Sequence, residues 1–176
     1  MSSSPLFHNS QENPNELILS YIMTQNLTYW LTSVITWIPW VFAPSLGMMT
    51  MLIMVPITIV PATLMLLRKT SPSKWRNEAV KISYTYVIMY IVIDLLFWVI
   101  WRGHDPLKWF LPSNSLGTAN FIGYIEVAVT PIITERLAEK SEKLRESFKI
   151  NLTRTKVALV GTGLFGITLI SAILFW

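Results

Sequence analysis

The chain has 176 residues, of which 52% are hydrophobic and only 14% are charged, and its formal net charge is +4. Soluble domains carry about 25% charged residues, so this composition excludes an ordinary soluble fold and predicts an all-α integral membrane protein in a lipid bilayer. The lack of cysteine excludes disulfide bonds, thiol catalysis and cysteine-ligated metal centres. The positive charge is confined to short segments between apolar stretches, a pattern typical of membrane topology and not of nucleic-acid binding.

Lysine and arginine are distributed very unevenly along the chain. None precedes Arg68, and twelve of the fourteen fall within two windows, residues 68–81 and 136–156. Because basic loops stay on the cytoplasmic side of a membrane, both windows are predicted to be cytoplasmic. The same rule places the N-terminus inside and the C-terminus outside, and we expect the plasma membrane as the location.

The predicted elements begin with a polar tail over residues 1–15, which we expect to be disordered. One transmembrane helical domain over 16–176 follows. A spanning helix needs about 20 apolar residues, and five stretches approach this length: about 27–43, 48–67, 82–101, 117–134 and 157–176. With five spans, successive loops alternate between the two sides of the membrane, and both basic windows fall on the cytoplasmic side. The first stretch has a short apolar core, so a re-entrant hairpin over 16–43 is the alternative there.

Two further features belong to this predicted bundle. Pro56 and Pro61 lie inside the second span, where each removes a backbone hydrogen bond, so we expect a kinked or partly unwound helix. The fourth span is predicted to continue into the cytoplasm as an amphipathic helix over 135–149. Leu144 and Phe148 belong to its apolar stripe, which is typical of a helix that docks on a partner.

Only two of the ten acidic residues, Asp94 and Glu126, lie within predicted spans. Charged side chains inside a membrane are costly and commonly mark a substrate or ion pathway. Asp94 follows Lys81 by thirteen residues, about 20 Å at the helical rise, and Glu126 precedes Arg136 by ten residues, about 15 Å. We therefore predict that both carboxyls lie at a similar depth and meet where the third and fourth spans pack together.

Polar side chains recur on the same helix faces as these acids. Tyr86, Tyr90 and Asp94 follow one another at intervals of four residues, and Asn120 shares a small-residue face with Glu126. These five residues are predicted to form one ligand-binding or ion-binding pocket. The alternative is purely structural, with each acid paired to hydroxyl groups or backbone carbonyls in a packed core.

Arg102, His104 and Asp105 form a polar cluster in the loop between the third and fourth spans. We interpret the cluster either as an interfacial anchor with the neighbouring tryptophans or as an outer mouth of the pocket. His104 and His8 lie on opposite sides of the predicted membrane, which excludes a haem with two histidine ligands. No other cofactor and no metal is expected, and the nucleophile elbow, the zinc-protease helix and the P-loop are missing, so an enzyme is not predicted.

The predicted function is transport or conduction of a small solute or ion through a midplane carboxylate site. At this chain length such a function calls for a homo-oligomer or for partner membrane subunits. The alternative belongs to a different class, a non-catalytic accessory subunit of a larger membrane complex that docks through the helix over 135–149.

Overall fold

The computed structural model describes the chain over residues 14–146, 160–167 and 170, and within these residues it contains helices and no strand. The all-α fold class is confirmed for this part of the chain. The helices are α1 (Pro14–Phe42), α2 (Pro44–Leu67), α3 (Trp75–Ile93), α4 (Pro106–Phe110), α5 (Ser115–Lys140) and α6 (Glu142–Glu146). A 3₁₀ turn over Pro72–Lys74 precedes α3, and a π-helix over Asp94–Trp101, the π segment, extends it. Residues 160–167 are also helical.

Three described helices are long and apolar enough to cross a membrane. They cover Pro44–Leu67, Pro72–Trp101 and Ser115–Lys140, where the second, third and fourth spans are predicted. α1 has 29 residues, but its mean hydropathy is below that of the three helices able to cross a membrane. The predicted fifth span over 157–176 lies mostly outside the described residues, as does the predicted tail up to Pro14.

Four helices pack in a closed ring. α1 contacts α2, α2 contacts α5, α5 contacts α3, and α3 returns to α1. Val55, Ile59 and Val127 are at most 2% exposed where these helices meet. Apolar side chains also cover the outside of the ring, for example Ile57 on α2 and Ile88 on α3, which are 55% and 47% exposed. Helices that satisfy their own backbone hydrogen bonds and present apolar side chains outward suit a lipid environment.

The inward face of α1 is polar, which contributes to the lower hydropathy of this helix. Gln25, Thr28 and Thr32 recur every three or four residues and therefore share one face, and all three are buried. Gln25 donates a hydrogen bond to the Thr85 hydroxyl at 2.6 Å, and the Thr32 hydroxyl lies 2.9 Å from that of Thr58. Polar side chains that bond across helices in this way hold membrane bundles together.

The loop over 102–114 closes the end of the ring opposite the 68–74 turn. Asp105 caps α4 by accepting a hydrogen bond from the Leu107 amide at 2.9 Å, and Asn114 caps α5 by accepting one from the Gly117 amide at 2.8 Å. Gly117 permits the close approach of this loop to α5, because a Cβ there would lie 1.9 Å from the Leu111 carbonyl oxygen. The caps and the glycine together fix α4 across the end of the ring.

The amphipathic helix predicted over 135–149 is not continuous in its described part. α5 runs past residue 134 to Lys140, but Ser141 is extended, with φ −125° and ψ 105°. The Ser141 hydroxyl accepts a hydrogen bond from the Leu144 amide at 3.3 Å and so caps α6. Serine competes with the helical backbone through such bonds, which interrupts the helix that the apolar spacing predicts. Phe148 lies outside the described residues.

α2 is not unwound at its internal prolines. Every residue between Pro44 and Leu67 is helical, although Pro56 and Pro61 lie inside the helix. Each proline removes only one backbone hydrogen bond, and α2 packs against both α1 and α5. Packing on two sides allows a membrane helix to tolerate internal prolines without unwinding.

Candidate functional site

Asp94 is the first residue of the π segment and is only 6% exposed. Its two carboxyl oxygens accept hydrogen bonds from two other helices, Oδ1 from the Tyr29 hydroxyl of α1 and Oδ2 from the Tyr124 hydroxyl of α5. Hydrogen bonds to a charged acceptor are roughly twice as strong as neutral ones, and they compensate a carboxylate for lost hydration. One buried carboxyl therefore ties three helices together.

Aromatic rings surround this carboxyl. The Tyr29 ring meets the Tyr90 ring edge-on with centroids 4.8 Å apart. The Trp98 indole N–H donates to the Tyr29 oxygen at 3.0 Å, and the Trp98 ring stacks on Trp109 of α4 with centroids 5.4 Å apart and 19° between planes. Because these contacts link one ring to the next, the aromatic wall is preorganised around Asp94.

The rings line a partly open cavity of about 90 Å³ with Asp94 in its wall. Seven aromatic side chains line it: Tyr29, Trp37, Trp40, Tyr90, Trp98, Trp109 and Tyr124. Its other polar lining comes from Thr32, Ser33, Thr36 and Asn120. Within the described part of the chain no lysine, arginine or histidine lines the cavity, so the wall holds no positive charge to balance the carboxylate.

Two polar atoms of the wall have incomplete hydrogen bonding. Tyr90 and Trp109 are 7% and 2% exposed, and among the described residues neither the Tyr90 hydroxyl nor the Trp109 indole N–H has a hydrogen-bond partner. The Thr32 hydroxyl lies near the Tyr90 hydroxyl, and the Asp94 carboxyl lies near the Trp109 indole N–H. Neither contact has the geometry of a hydrogen bond. A buried unpaired polar atom costs about 1–3 kcal/mol, and such atoms commonly bind water or a ligand.

Polar contacts continue from the cavity along α1 towards the 68–74 turn. The Thr28 hydroxyl lies 3.1 Å from the Tyr86 hydroxyl, and the Gln25 amide donates to the Ile82 carbonyl at 3.3 Å. Further along, the Tyr21 hydroxyl donates to the Glu78 carboxylate at 2.6 Å. We call this line of side chains the polar file, and it joins the cavity to the end of the ring that carries the first basic window.

The structure brings part of the predicted pocket together. Tyr90, Asp94 and Asn120 all line the cavity. The Asn120 amide donates to the Trp109 carbonyl at 3.1 Å and so holds α4 in place over the cavity. Tyr86 lies one turn before Tyr90, outside the lining, and belongs to the polar file.

Glu126 is placed apart from this cavity, so the predicted meeting of the two carboxyls does not occur. Glu126 follows Tyr124 by two residues, about 200° around the helix, and Tyr124 points towards Asp94. Glu126 is half-buried, next along α5 to the exposed Ile125, and its Oε2 is buried without a partner in the described part of the chain. Counting residues from the basic windows estimates depth, but it does not reveal how each helix is rotated.

The predicted outer-mouth cluster is divided among three environments. The Arg102 guanidinium lies 5.6 Å from the Trp101 ring centroid, and Asp105 caps α4. The His104 ring lies 5.0 Å from the ring of Trp109, which is part of the cavity wall. Burial, together with the positive charge of Arg102, lowers the pKa of His104 below its usual value. The His104 side chain therefore contacts the cavity wall, and Asp105 contacts it through its backbone carbonyl, which accepts a hydrogen bond from the Trp109 amide at 2.9 Å.

Tyr29 and Tyr124, the two tyrosines that hold Asp94, were not predicted from the sequence. Tyr29 lies between Thr28 and Thr32 on the polar face of α1, and that polar spacing inside an apolar stretch was the available signal. Tyr124 carried no comparable signal, because the charge of Glu126 two residues later drew attention to the other side of the same helix.

No protein-family model, curated protein or solved structure matches this chain. The described residues form an all-helical protein with three helices able to cross a membrane and an aromatic cavity that contains a carboxyl group. The function must be inferred from the cavity itself.

Proposed function

We propose that this protein transports or conducts a small solute or ion across a membrane, and that the cavity around Asp94 is its binding site. The observation that carries the proposal is the buried Asp94 carboxyl beside two polar atoms with incomplete hydrogen bonding. A charged residue at the centre of a membrane helix costs about 2.5–3.5 kcal/mol on insertion scales, a cost that an apolar residue would avoid. A ligand that completes these contacts accounts for its presence.

The polar file supports passage of the ligand beyond simple binding. It extends from the cavity to Glu78, which also forms an ion pair with Lys81 at 2.8 Å. Polar side chains inside a membrane bundle commonly line substrate or ion pathways. The cavity and the polar file together connect the two ends of the ring through polar groups.

The membrane arrangement that goes with this proposal has five spans in the plasma membrane. α1 and residues 157–176 supply the two spans beyond the three described above, and 29 residues of α1 reach about 43 Å at the helical rise. The basic windows favour an inside position for the 68–74 turn, so in this arrangement the cavity, which lies towards the opposite end of the ring, is nearer the outside. A homo-oligomer or a partner subunit completes the transport unit.

A paired substitution tests the transport proposal. Purified protein is reconstituted into liposomes, and currents are recorded after concentration jumps of methylammonium, potassium and sodium. We expect Asp94→Asn to reduce the wild-type current about tenfold or more, because a lost charge interaction of about 1.4 kcal/mol already corresponds to a factor of ten. Glu126→Gln removes the other intramembrane charge and serves as the matched control, with currents close to wild type.

Equal currents for the wild type and Asp94→Asn would overturn the assignment of the site. Currents that are lost in Glu126→Gln and retained in Asp94→Asn would move the site to the opposite side of α5. Detergent-solubilised protein that elutes as one symmetric peak establishes that each variant is folded before it is reconstituted.

The accessory-subunit function remains the alternative proposal. It depends on the segment over 135–149, which the structure divides at Ser141. An accessory subunit predicts that neither Asp94→Asn nor Glu126→Gln changes the currents, whereas substitutions in α6 disturb assembly with a partner.

A further inference from the structure

We infer that the cavity binds a small organic ammonium ion that retains an N–H group and is about the size of trimethylammonium. This inference rests on the proposed function of the same cavity and names its ligand class. Four features of the cavity carry it: the charge of the wall, the aromatic surface of the wall, the volume of the cavity and the hydroxyl of Tyr90.

The charge of the wall selects a cation. Asp94 is the one charged side chain that lines the cavity within the described residues. A carboxylate has about four lone-pair sites, and the Tyr29 and Tyr124 hydroxyls occupy two of them. The carboxylate keeps its other lone pairs and its negative charge, and it attracts a bound cation electrostatically.

The aromatic surface favours an organic cation over a metal ion. Tyrosine and tryptophan faces attract cations, and cages of such rings are the known recognition mode for alkylated ammonium groups. A hard metal ion instead needs about six oxygen ligands. Within the described part of the chain, no three histidine, cysteine or acidic side chains come together as a metal site. The wall therefore matches a cation that carries apolar methyl groups.

The volume and the Tyr90 hydroxyl define the ligand further. A cavity of about 150 Å³ accommodates benzene with its six carbons, so a cavity of about 90 Å³ has room for about four non-hydrogen atoms. Tyr90 lines the cavity, and we assign its hydroxyl oxygen, which has no hydrogen-bond partner among the described residues, as the acceptor for the N–H of such an ion. Trimethylammonium has four non-hydrogen atoms and one N–H, so it serves as the probe.

Tryptophan fluorescence of the purified full-length chain in detergent provides a binding measurement, because four of the eight tryptophans line the cavity. The protein is titrated with trimethylammonium chloride, with potassium chloride as the metal-cation comparison and with 2-propanol as a neutral molecule of the same atom count. We expect a saturable change with trimethylammonium at a concentration about tenfold lower than with potassium, consistent with the strength of a desolvated cation–π contact. We expect no saturable change with 2-propanol.

Two variants test the contacts separately. Asp94→Asn should raise the half-saturating concentration of trimethylammonium about tenfold or more. Tyr90→Phe should raise it about three- to tenfold, and because the Tyr90 hydroxyl has no partner in the described structure, this variant is expected to fold normally. Tyr84→Phe is the matched control on the same helix, since Tyr84 is 70% exposed on the outside of the ring.

Each other outcome overturns the inference. Saturation by potassium at equal or lower concentration identifies a metal-cation site, and saturation by 2-propanol identifies an apolar cavity. No saturable response to any probe, or unchanged binding in Tyr90→Phe, also overturns it.

The result separates the ligand class from transport. Saturable trimethylammonium binding without liposome currents removes the transport proposal and leaves the ligand class standing. Currents of potassium or sodium that depend on Asp94, without trimethylammonium binding, support the transport proposal and remove the ligand class.

Discussion

Asp94 and Glu126 are both carboxyls on helices able to cross a membrane, yet they occupy opposite kinds of environment. Asp94 lies inside the ring, where hydroxyls from two other helices donate to its two oxygens. Glu126 lies at the edge of the buried face of α5, and its one buried oxygen lacks a partner among the described residues. The two acids are similar in the sequence and differ, within the described residues, in the hydrogen bonds that other helices donate to them.

The difference shows what a carboxyl needs in order to be buried in this helical ring. A carboxyl is tolerated in the ring where several helices contribute donors at one point, and those same donors then fix its position for a ligand. At the edge of one helix a carboxyl has no such support. We therefore expect stability and ligand binding to depend on Asp94 and its partners far more than on Glu126.

The largest effect is expected when each acid is replaced by leucine. Asp94→Leu leaves the Tyr29 and Tyr124 hydroxyls without their acceptor, and two buried unpaired groups cost about 2–6 kcal/mol together. Glu126→Leu removes an unpaired oxygen from an apolar setting and should be neutral or slightly stabilising. Thermal unfolding of the two variants in the same detergent measures the difference. Equal losses of stability would show that the two acids are structurally equivalent.

A smaller difference in stability is expected between variants of the two tyrosines that donate to Asp94. Tyr29→Phe removes one hydrogen bond to the carboxyl and also the acceptor for the Trp98 indole N–H, so we expect a loss of about 2–4 kcal/mol. Tyr124 is only partly buried, and Tyr124→Phe removes a single bond, for which we expect about 1–2 kcal/mol. Unfolding of the single and double variants checks this order. A larger effect of Tyr124→Phe would contradict the network as described.

The smallest expected effect is a pH dependence of stability that is due to His104, which contacts the cavity wall on the Asp94 side. Burial, with the charge of Arg102, lowers the pKa of His104 below 6.5, so the folded protein binds this proton less readily than the unfolded chain does. Stability is therefore full above the unfolded pKa and falls as pH drops through 6.5 towards the lower folded value. His104→Gln should reduce the decline in unfolding temperature between about pH 7.5 and pH 5.5, and an unchanged decline would exclude His104 as its cause. Because His104 is partly exposed, solvent screening keeps the effect modest.

Several features followed from the sequence because they depend only on local pattern. Apolar length sufficed for the three spanning helices, since a helix in lipid satisfies its own backbone wherever it lies. The rarity of charge inside those spans was enough to single out Asp94, and the four-residue spacing placed Tyr90 on the same face. The interruption at Ser141 escaped prediction because it depends on one side-chain hydrogen bond and not on apolar spacing.

The composition of the site was decided by tertiary structure. The rotation of α5 turns Tyr124 inward and Glu126 away, and spacing within one helix says nothing of that rotation relative to its neighbours. The aromatic wall unites residues from α1, α3, the π segment, α4 and α5, which are up to 95 positions apart between Tyr29 and Tyr124. Sequence alone determined that a buried carboxyl would need partners, and only the packing of four helices decided which side chains those partners are.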